Sequence, residues 1–406
     1  MTYNTHILKN GIRLIHSSSD SSIAYCGLII NAGSSNENEN QHGLAHYLEH
    51  AMFKGTAKRR SFHILNRLEN VGGDINAFTT KEDTCIYTAF LKEHYSRSFE
   101  LLSDIVFNST FPEKEIEKEK EVIIDEINSY KDNPSELIFD DFEELIFKNQ
   151  ALGRNILGQV EKIRKYKRSD LIRFRDENYT TDQIVIFSLG NISFKRIVNM
   201  AEKHFGHILE SSTNKTVKQD IVYQPQKLIL NKKFHQLHAI IGTTAYNVWD
   251  KRRTSLSFLN NLLGGSSMNS RLSMALRERN GFVYDIESNY TSYTNTGVFN
   301  IYFGTEKEKF DKSIELIYKE FSKLKEKKLG VLQLSRAKQQ LLGQIAIGMD
   351  NKESVAYNLG RSYLLFSKVD SLQDISKKIE TITANEIMDI SNEILDESKL
   401  SLLVYK

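Results

Sequence analysis

Cysteine, proline and tryptophan are scarce in this chain of 406 residues, which holds two, three and one of them respectively. Two cysteines, Cys26 and Cys85, are too few for a disulfide framework and have no metal-ligand spacing. Both are expected to be buried as small hydrophobes. The three prolines, Pro112, Pro134 and Pro225, rule out a proline-rich linker or stalk. An excess of one charge is also missing. Lys plus Arg number 54 against 52 Asp plus Glu, a net charge of +2, which argues against a nucleic-acid partner held by bulk electrostatics. Long apolar runs are absent too, since Ile23 to Ile30 falls far short of a membrane span. The opening Met-Thr-Tyr-Asn-Thr-His has no basic stretch followed by an apolar one, as a secretion signal would. The expectation is a cytoplasmic protein without a membrane span.

What is present is ordinary in proportion, with 40% hydrophobic and 26% charged residues. The length points to two domains or three. His6–Leu8 and Ile12–His16 flank Lys9-Asn10-Gly11, a strong hairpin signal. Ile23–Asn31 reads as a buried strand, and Ala77–Leu91 as an alternating one around Cys85, Tyr87 and Ala89. Helical patterns cover Leu44–Lys54, Phe62–Val71, Tyr95–Asn108 and Glu113–Tyr130. This mixed order predicts an α+β fold with helices packed on one face of a sheet.

A shift of 215 positions superposes distant segments of the chain. Tyr95–Leu101 lies over Phe310–Leu316, Ile116–Ile127 over Val331–Leu342, and Ser169–Leu189 over Ala384–Val404. One offset serving three places implies two tandem homologous units, each a mostly antiparallel sheet covered by helices. The predicted division is residues 1–210, a polar linker at 211–224, and residues 225–406.

The segment that carries chemistry is His46-Tyr47-Leu48-Glu49-His50. Helix positions i, i+3 and i+4 share a face, so both imidazoles can bind one metal ion while Glu49 sits beside it. This is H-x-x-E-H, the inverse of the H-E-x-x-H zinc motif. Leu44, Leu48, Ala51 and Met52 supply the apolar stripe opposite. A catalytic zinc site usually takes three protein ligands and leaves one position open. In the helix after Pro112, Glu119 and Glu126 share a face with Ile116, Ile123, Ile127 and Tyr130. A carboxylate on an apolar face is costly unless it is paired or binds a cation. Glu126 is therefore the expected third ligand. Glu119 lies two turns away, roughly 10 Å along the axis, and is expected behind the ligands or in a substrate cleft. His204/His207 and His235/His238 also have i, i+3 spacing, but the first pair ends a helix beside a glycine and the second lies in a strand-like run with no acidic partner nearby, so neither is expected to bind metal.

His46-x-x-Glu49-His50 with Glu126 downstream, and Glu119 seven residues before it, resembles the pitrilysin/insulinase-type zinc peptidases, the inverzincins. The segment Gly72-Gly73-Asp74-Ile75-Asn76-Ala77-Phe78-Thr79, followed by Thr84, fits the same pattern. The resemblance implies that Asn76, Ala77, Phe78 and Thr79 form an edge strand to which substrate adds as a further strand. In the second half, Leu263–Leu272 and Leu276–Tyr284 resemble the family's C-terminal signature, and Arg277 and Tyr284 are then substrate-binding residues of the cleft. At the 215 offset, His46, Glu49, His50 and Glu126 fall on Asn261, Gly264, Gly265 and Leu341, so the second unit has no such ligands.

The implied activity is that of a zinc metalloendopeptidase holding one Zn2+ per chain, with Glu49 as catalytic base and His46, His50 and Glu126 on the metal. Its substrates would be short or unfolded peptides, cut in a chamber formed by dimerisation. A homodimer is expected, or a heterodimer with a related chain. Two rivals come from the same resemblance. One is a processing-peptidase catalytic subunit that needs a distinct partner. The other is a non-catalytic core subunit, against which the intact ligand set argues.

Overall fold

The computed structural model describes residues 2–213, 222–232 and 234–406. Residues 214–221 of the expected linker lie outside that set. Strands β1 (Tyr3–Ile7), β2 (Arg13–Ser18) and β3 (Ile23–Ile30) lead to helices α1 (Leu44–Met52) and α2 (Ser61–Glu69). Strands β4 (Asp74–Thr79) and β5 (Thr84–Leu91) follow, then α3 (Tyr95–Phe107), α4 (Glu113–Lys131) and α5 (Pro134–Ile146). Next come α6 (Val160–Ile163), α7 (Arg168–Asn178), β6 (Ile184–Gly190) and α8 (Phe194–Phe205). The later part runs β7 (Lys227–Leu230), β8 (Leu237–Ala245), α9 (Arg253–Gly264), β9 (Val283–Ser292) and β10 (Gly297–Thr305). It closes with α10 (Phe310–Glu326), α11 (Val331–Gly348), α12 (Lys352–Phe366), α13 (Leu372–Glu380), α14 (Ala384–Ile394) and β11 (Ser401–Tyr405).

The Asn10-Gly11 turn forms as the dipeptide requires, with Gly11 at φ +89° between antiparallel β1 and β2. The long strand expected over Ala77–Leu91 is two strands. Thr80 Oγ1 accepts from the backbone N–H groups of Glu82 and Asp83 and turns the chain between β4 and β5. A threonine turn of this kind has no Gly or Pro to announce it.

Two compact units result. The first comprises Met1–Ser129, Arg154–Thr216 and Gly348–Ser371, and the second Tyr130–Gly153, Val217–Ile347 and Leu372–Lys406. Each unit thus contains one helix from the other half of the chain, α12 in the first and α5 in the second. The first sheet has the order β1-β2-β6-β3-β5-β4 and the second β7-β11-β8-β10-β9. The order β2-β6-β3-β5-β4 is matched strand for strand by the whole second sheet, including one parallel pair in each, β2 with β6 and β7 with β11. The fold is α+β, two copies of one mostly antiparallel unit covered by helices.

In the first unit both faces of the sheet are covered, not one. Leu28, Ile86 and Phe90 pack with Leu44, Leu48, Ile105 and Ile123 of the helices on one side. Ile29, Cys85, Val185 and Phe187 pack with Ala356 and Leu359 of α12 on the other. The apolar run of β3 explains this, because adjacent Leu28 and Ile29 point to opposite faces and both need cover. Each such side chain contributes about 1.5–3 kcal/mol on burial. Cys26 and Cys85 are both free and buried, as expected of small core residues. Among the described residues no helix is long and apolar enough to cross a membrane.

Candidate metal centre

The metal-motif helix α1 is more enclosed than an amphipathic helix should be. Leu44, Ala45, Tyr47, Leu48, Ala51 and Met52 are buried, and so are His46 and Glu49. Its polar face looks onto other polar groups of the first unit and not onto bulk water. The N-terminus is tightly built. Gly43 at φ +90° caps α1, and the Glu37 carboxylate accepts from the N–H groups of Gly43 (2.9 Å) and Ala45 (2.8 Å). A buried acid there serves the unpaired N–H groups and the positive end of the helix dipole together. Gly43 also meets Gly158, itself at φ +83°, so closely that a β-carbon on Gly43 would lie 2.7 Å from the Gly158 α-carbon. Gly43→Ala combines left-handed strain with a backbone clash and is expected to cost roughly 3 kcal/mol. Chemical denaturation checks this; an unchanged midpoint would contradict the packing described.

Helix α4 is fixed against α1 by contacts along its length. The Tyr47 hydroxyl donates to the Ile116 carbonyl (2.7 Å). One turn on, His50 Nδ1 lies 2.8 Å from Glu119 Oε1, and Lys54 Nζ is 2.6 Å from Glu119 Oε2. Further along, Glu126 Oε2 is 3.7 Å from Nε2 of His46 and 3.7 Å from Nε2 of His50. The His50 ring therefore bridges the two carboxylates, Glu119 on Nδ1 and Glu126 beside Nε2. The donor atoms of His46, His50 and Glu126 all lie within 4.8 Å of one another. Ligands of a tetrahedral zinc ion sit about 3.3 Å apart, given bonds of about 2.0–2.1 Å. Two imidazole nitrogens and a carboxylate oxygen at this spacing fit zinc in both chemistry and size. Among the described residues no other group of three His, Cys, Asp or Glu side chains comes together in this way.

The protonation state of His46 suits a cation, and His50 differs. Burial, with His50 next to it, pushes His46 down to about 3, so its imidazole is neutral and free to coordinate. Burial alone would raise Glu119, but hydrogen bonds from His50 and Lys54 hold it below the ordinary carboxylate range. Burial would lower His50, but the Glu119 hydrogen bond and the charges of Glu49 and Glu126 raise it above the ordinary imidazole range, so a metal must displace its Nε2 proton; the Nδ1–Glu119 bond then makes Nε2 a stronger donor. His46 has no matching support: its Nδ1 is buried without a hydrogen-bond partner among the described residues.

Glu126 is not the buried carboxylate that its place among isoleucines predicts. Its side chain is 44% exposed, while that of Glu119 is 9% exposed. Glu126 lies at the rim of the helix face, where an acid costs little by itself. Glu49 lies on the same helix as the histidines, and its Oε2 accepts from the Thr79 hydroxyl of β4 at 2.6 Å. Burial raises the Glu49 carboxyl, and the Thr79 bond opposes that rise. Strand β4 is the outer strand of its sheet, paired only with β5. Asn76, Ala77, Phe78 and Thr79 therefore leave one backbone edge open. Thr79 contacts Glu49 directly, a role that the strand pattern alone did not reveal.

Arg277 and Tyr284 belong to the second unit. Arg277 is in a π-helical stretch, Ser273–Glu278, and Tyr284 is in β9. Both side chains are exposed, and the Tyr284 hydroxyl donates to Glu306 (2.8 Å). Within that unit the offset positions Asn261, Gly264 and Gly265 fall at the end of α9, and Leu341 falls on α11. None of the four can ligate zinc as His or Glu does. Of the other histidines, His238 stacks on Tyr302 and hydrogen-bonds to its hydroxyl, and His204 lies in α8.

Residues 13–160 match the insulinase (peptidase family M16) model, and residues 165–341 match the peptidase M16 inactive domain. The chain is 31% identical over 398 residues to a Bacillus subtilis protein named uncharacterized zinc protease YmxG, covering 98% of this chain and 96% of that one. It is 30% identical over 409 residues to the mitochondrial-processing peptidase subunit beta of Bos taurus, covering 96% and 82% respectively. The crystal structure of a protease from Helicobacter pylori superposes with a TM-score of 0.92 at 18% identity, over 100% of this chain and 99% of that one.

Proposed function

We propose, given that this chain belongs to the insulinase family of peptidases, family M16, that it is a zinc-dependent endopeptidase acting on short or unfolded peptides. The observation that carries this reading is the meeting of His46, His50 and Glu126 donor atoms within 4.8 Å, with Glu49 on the same helix and outside the ligand set. A zinc ion held by the three would polarise a scissile carbonyl and acidify water beside it. Glu49 takes a proton from the attacking water, whose oxygen bonds to the carbonyl carbon. As the C–N bond breaks, Glu49 passes that proton to the departing amine. The Thr79 hydroxyl holds the Glu49 carboxylate in place through its 2.6 Å bond. The open edge of β4 supplies main-chain N–H and C=O groups to an extended peptide, which suits a peptidase that accepts many sequences. Arg277 and Tyr284 are assigned to substrate as well, Arg277 to a carbonyl or carboxylate and Tyr284 to the oxyanion.

This reading includes one zinc per chain, a cytoplasmic location, and a homodimer that encloses the cleft. The relative named mitochondrial-processing peptidase subunit beta favours a second assembly, a heterodimer with a related chain. Purified wild-type protein is expected to carry zinc near one equivalent and to cleave an unstructured peptide. A chelator should abolish the cleavage, and added zinc should restore it. Metal analysis and peptide cleavage on one preparation, with its mass in solution, decide the matter. A metal-free, inactive chain would favour a non-catalytic core subunit, and activity only with a second chain would favour the heterodimer.

A further inference from the structure

Helix α1 starts on a glycine, and Gly43 has no side chain with which to hold the first N–H groups. Glu37 does so from outside the helix, a role that the proposed reaction does not use. The two oxygens of its carboxyl group accept from Gly43 and Ala45, and His46 is the next residue. Glu37 is only 3% exposed, so it, and not bulk water, serves those groups. The loop that carries it is stitched to the turn after β4. The Ser34 N–H donates to the Thr80 carbonyl (3.1 Å), and the Ser35 N–H to the Lys81 carbonyl (2.7 Å). A distant segment, residues 154–158, ties the same parts together. Arg154 Nη1 donates to the Glu37 carbonyl (3.0 Å), and Lys81 Nζ donates to the Arg154 carbonyl (2.6 Å). His42 Nε2 lies 2.8 Å from the Asn155 carbonyl, and Gly158 is the residue packed against Gly43. Burial opposes charge on Glu37 and pushes its carboxyl up to about 8, while the Arg154 guanidinium draws it the other way.

The first N–H groups of a helix have no partner within it, and a helix without a cap loosens from that end. His46 is the third residue of α1, in the turn that Glu37 holds. Its ring has no support of its own. Glu119 fixes the His50 ring through Nδ1, but Nδ1 of His46 is buried without a hydrogen-bond partner among the described residues. The aim of His46 therefore depends on the backbone of its turn. We infer that Arg154 is a positioning residue of the metal centre: it holds Glu37, Glu37 holds the first turn of α1, and that turn aims His46. His50 and Glu49 lie one turn further on, and Glu126 is on α4, so His46 is the donor that this device governs. The inference rests on the reading of His46 as a zinc ligand.

The test uses the full-length chain, stripped of metal and titrated with zinc in competition with a chromophoric chelator. A loosened first turn lowers the fraction of molecules with His46 in place, and the apparent dissociation constant rises in proportion. Arg154→Ala and Glu37→Ala should each weaken zinc binding about tenfold, the scale of a lost helix cap. Arg154→Lys keeps a donor and the charge and should recover most of the loss. The double variant should bind zinc no more weakly than Glu37→Ala, because the two residues act in series. Hydrogen exchange read by mass spectrometry follows the same device without metal. The amides of Gly43 to His46 should exchange about tenfold faster in both alanine variants, with those of α4 unchanged. Arg59→Ala breaks ion pairs to Glu100 and Asp104 beyond the other end of α1 and controls for lost stability. It should lower the melting temperature but leave zinc binding and first-turn exchange as in the wild type. Zinc binding within about twofold of wild type in both alanine variants overturns the inference. If the wild type binds no zinc, the metal reading fails by itself. Exchange then decides the positioning role: a faster first turn in both variants supports it, and an unchanged one overturns it.

Discussion

Glu49→Gln is expected to keep a full equivalent of zinc and to lose peptide hydrolysis by about three orders of magnitude. The two halves of this result come from different features. Zinc retention follows from geometry, because the close-set donors are His46, His50 and Glu126, and Glu49 is outside that group. The loss of rate follows from chemistry, because an amide of the same shape cannot accept a proton from water. General base catalysis by a positioned carboxylate is worth typically about 10²–10⁴-fold. Glu49 takes a second proton-transfer role at the departing amine, which favours the upper part of that range. The amide oxygen of the variant would still accept from Thr79, so the strand and helix should keep their places. Metal analysis and steady-state kinetics on the same preparation read both parts. The loss should fall on kcat and not on KM, as for a group that acts only in the transition state. A variant that hydrolyses at a near wild-type rate would remove Glu49 as base, and one that loses zinc would make it a ligand.

The metal helix was legible because its signal is local. His46, Glu49 and His50 are one turn apart, and helical periodicity alone brings them to one side. Glu119 and Glu126 were legible as a pair but for a reason that holds for only one of them. Glu119 is the buried acid that the apolar-face argument expects, satisfied by His50 and Lys54. Glu126 is half exposed and reaches the histidines from the rim. What ties both to one centre is the His50 ring, whose two nitrogens face different carboxylates. A distance counted along one helix axis cannot show that.

Features set by distant parts of the chain stayed hidden. The apolar residues of β3 show that both sheet faces need cover, yet nothing local says that α12, far along the chain in its other half, supplies it. The 215-residue offset identified a repeated unit, and the matching strand orders of the two sheets bear that out. It could not show that each compact unit includes a helix from the other half. The turn between β4 and β5 was missed for the opposite reason. Its signal, Thr80 with Asp83, is local but weak, and the alternation of apolar residues runs on through it. That turn decides where the edge strand ends and so places Thr79 against Glu49.

Zinc is expected to raise the melting temperature of the wild type by roughly 10 °C and to leave that of His46→Ala unchanged. His46 is the most enclosed of the three donors, its side chain 9% exposed against 22% for His50 and 44% for Glu126. Burial keeps it neutral, so at physiological pH no proton competes with the metal for it. Removing it leaves two donors, one of them on the rim. An ion that binds only the folded state stabilises it by about 4 kcal/mol at roughly a thousand times its dissociation constant. A unit of some 150–250 residues gains about 2–4 °C per kcal/mol. Scanning calorimetry of chelator-treated protein, titrated with zinc, measures the shift without reference to catalysis. Should the two units melt in separate transitions, only the transition of the first should move, because the second carries Asn261, Gly264, Gly265 and Leu341 at the corresponding positions. Equal zinc shifts in wild type and His46→Ala would place the metal elsewhere, and His207→Ala and His238→Ala, expected to behave as wild type, control for the two other histidine pairs.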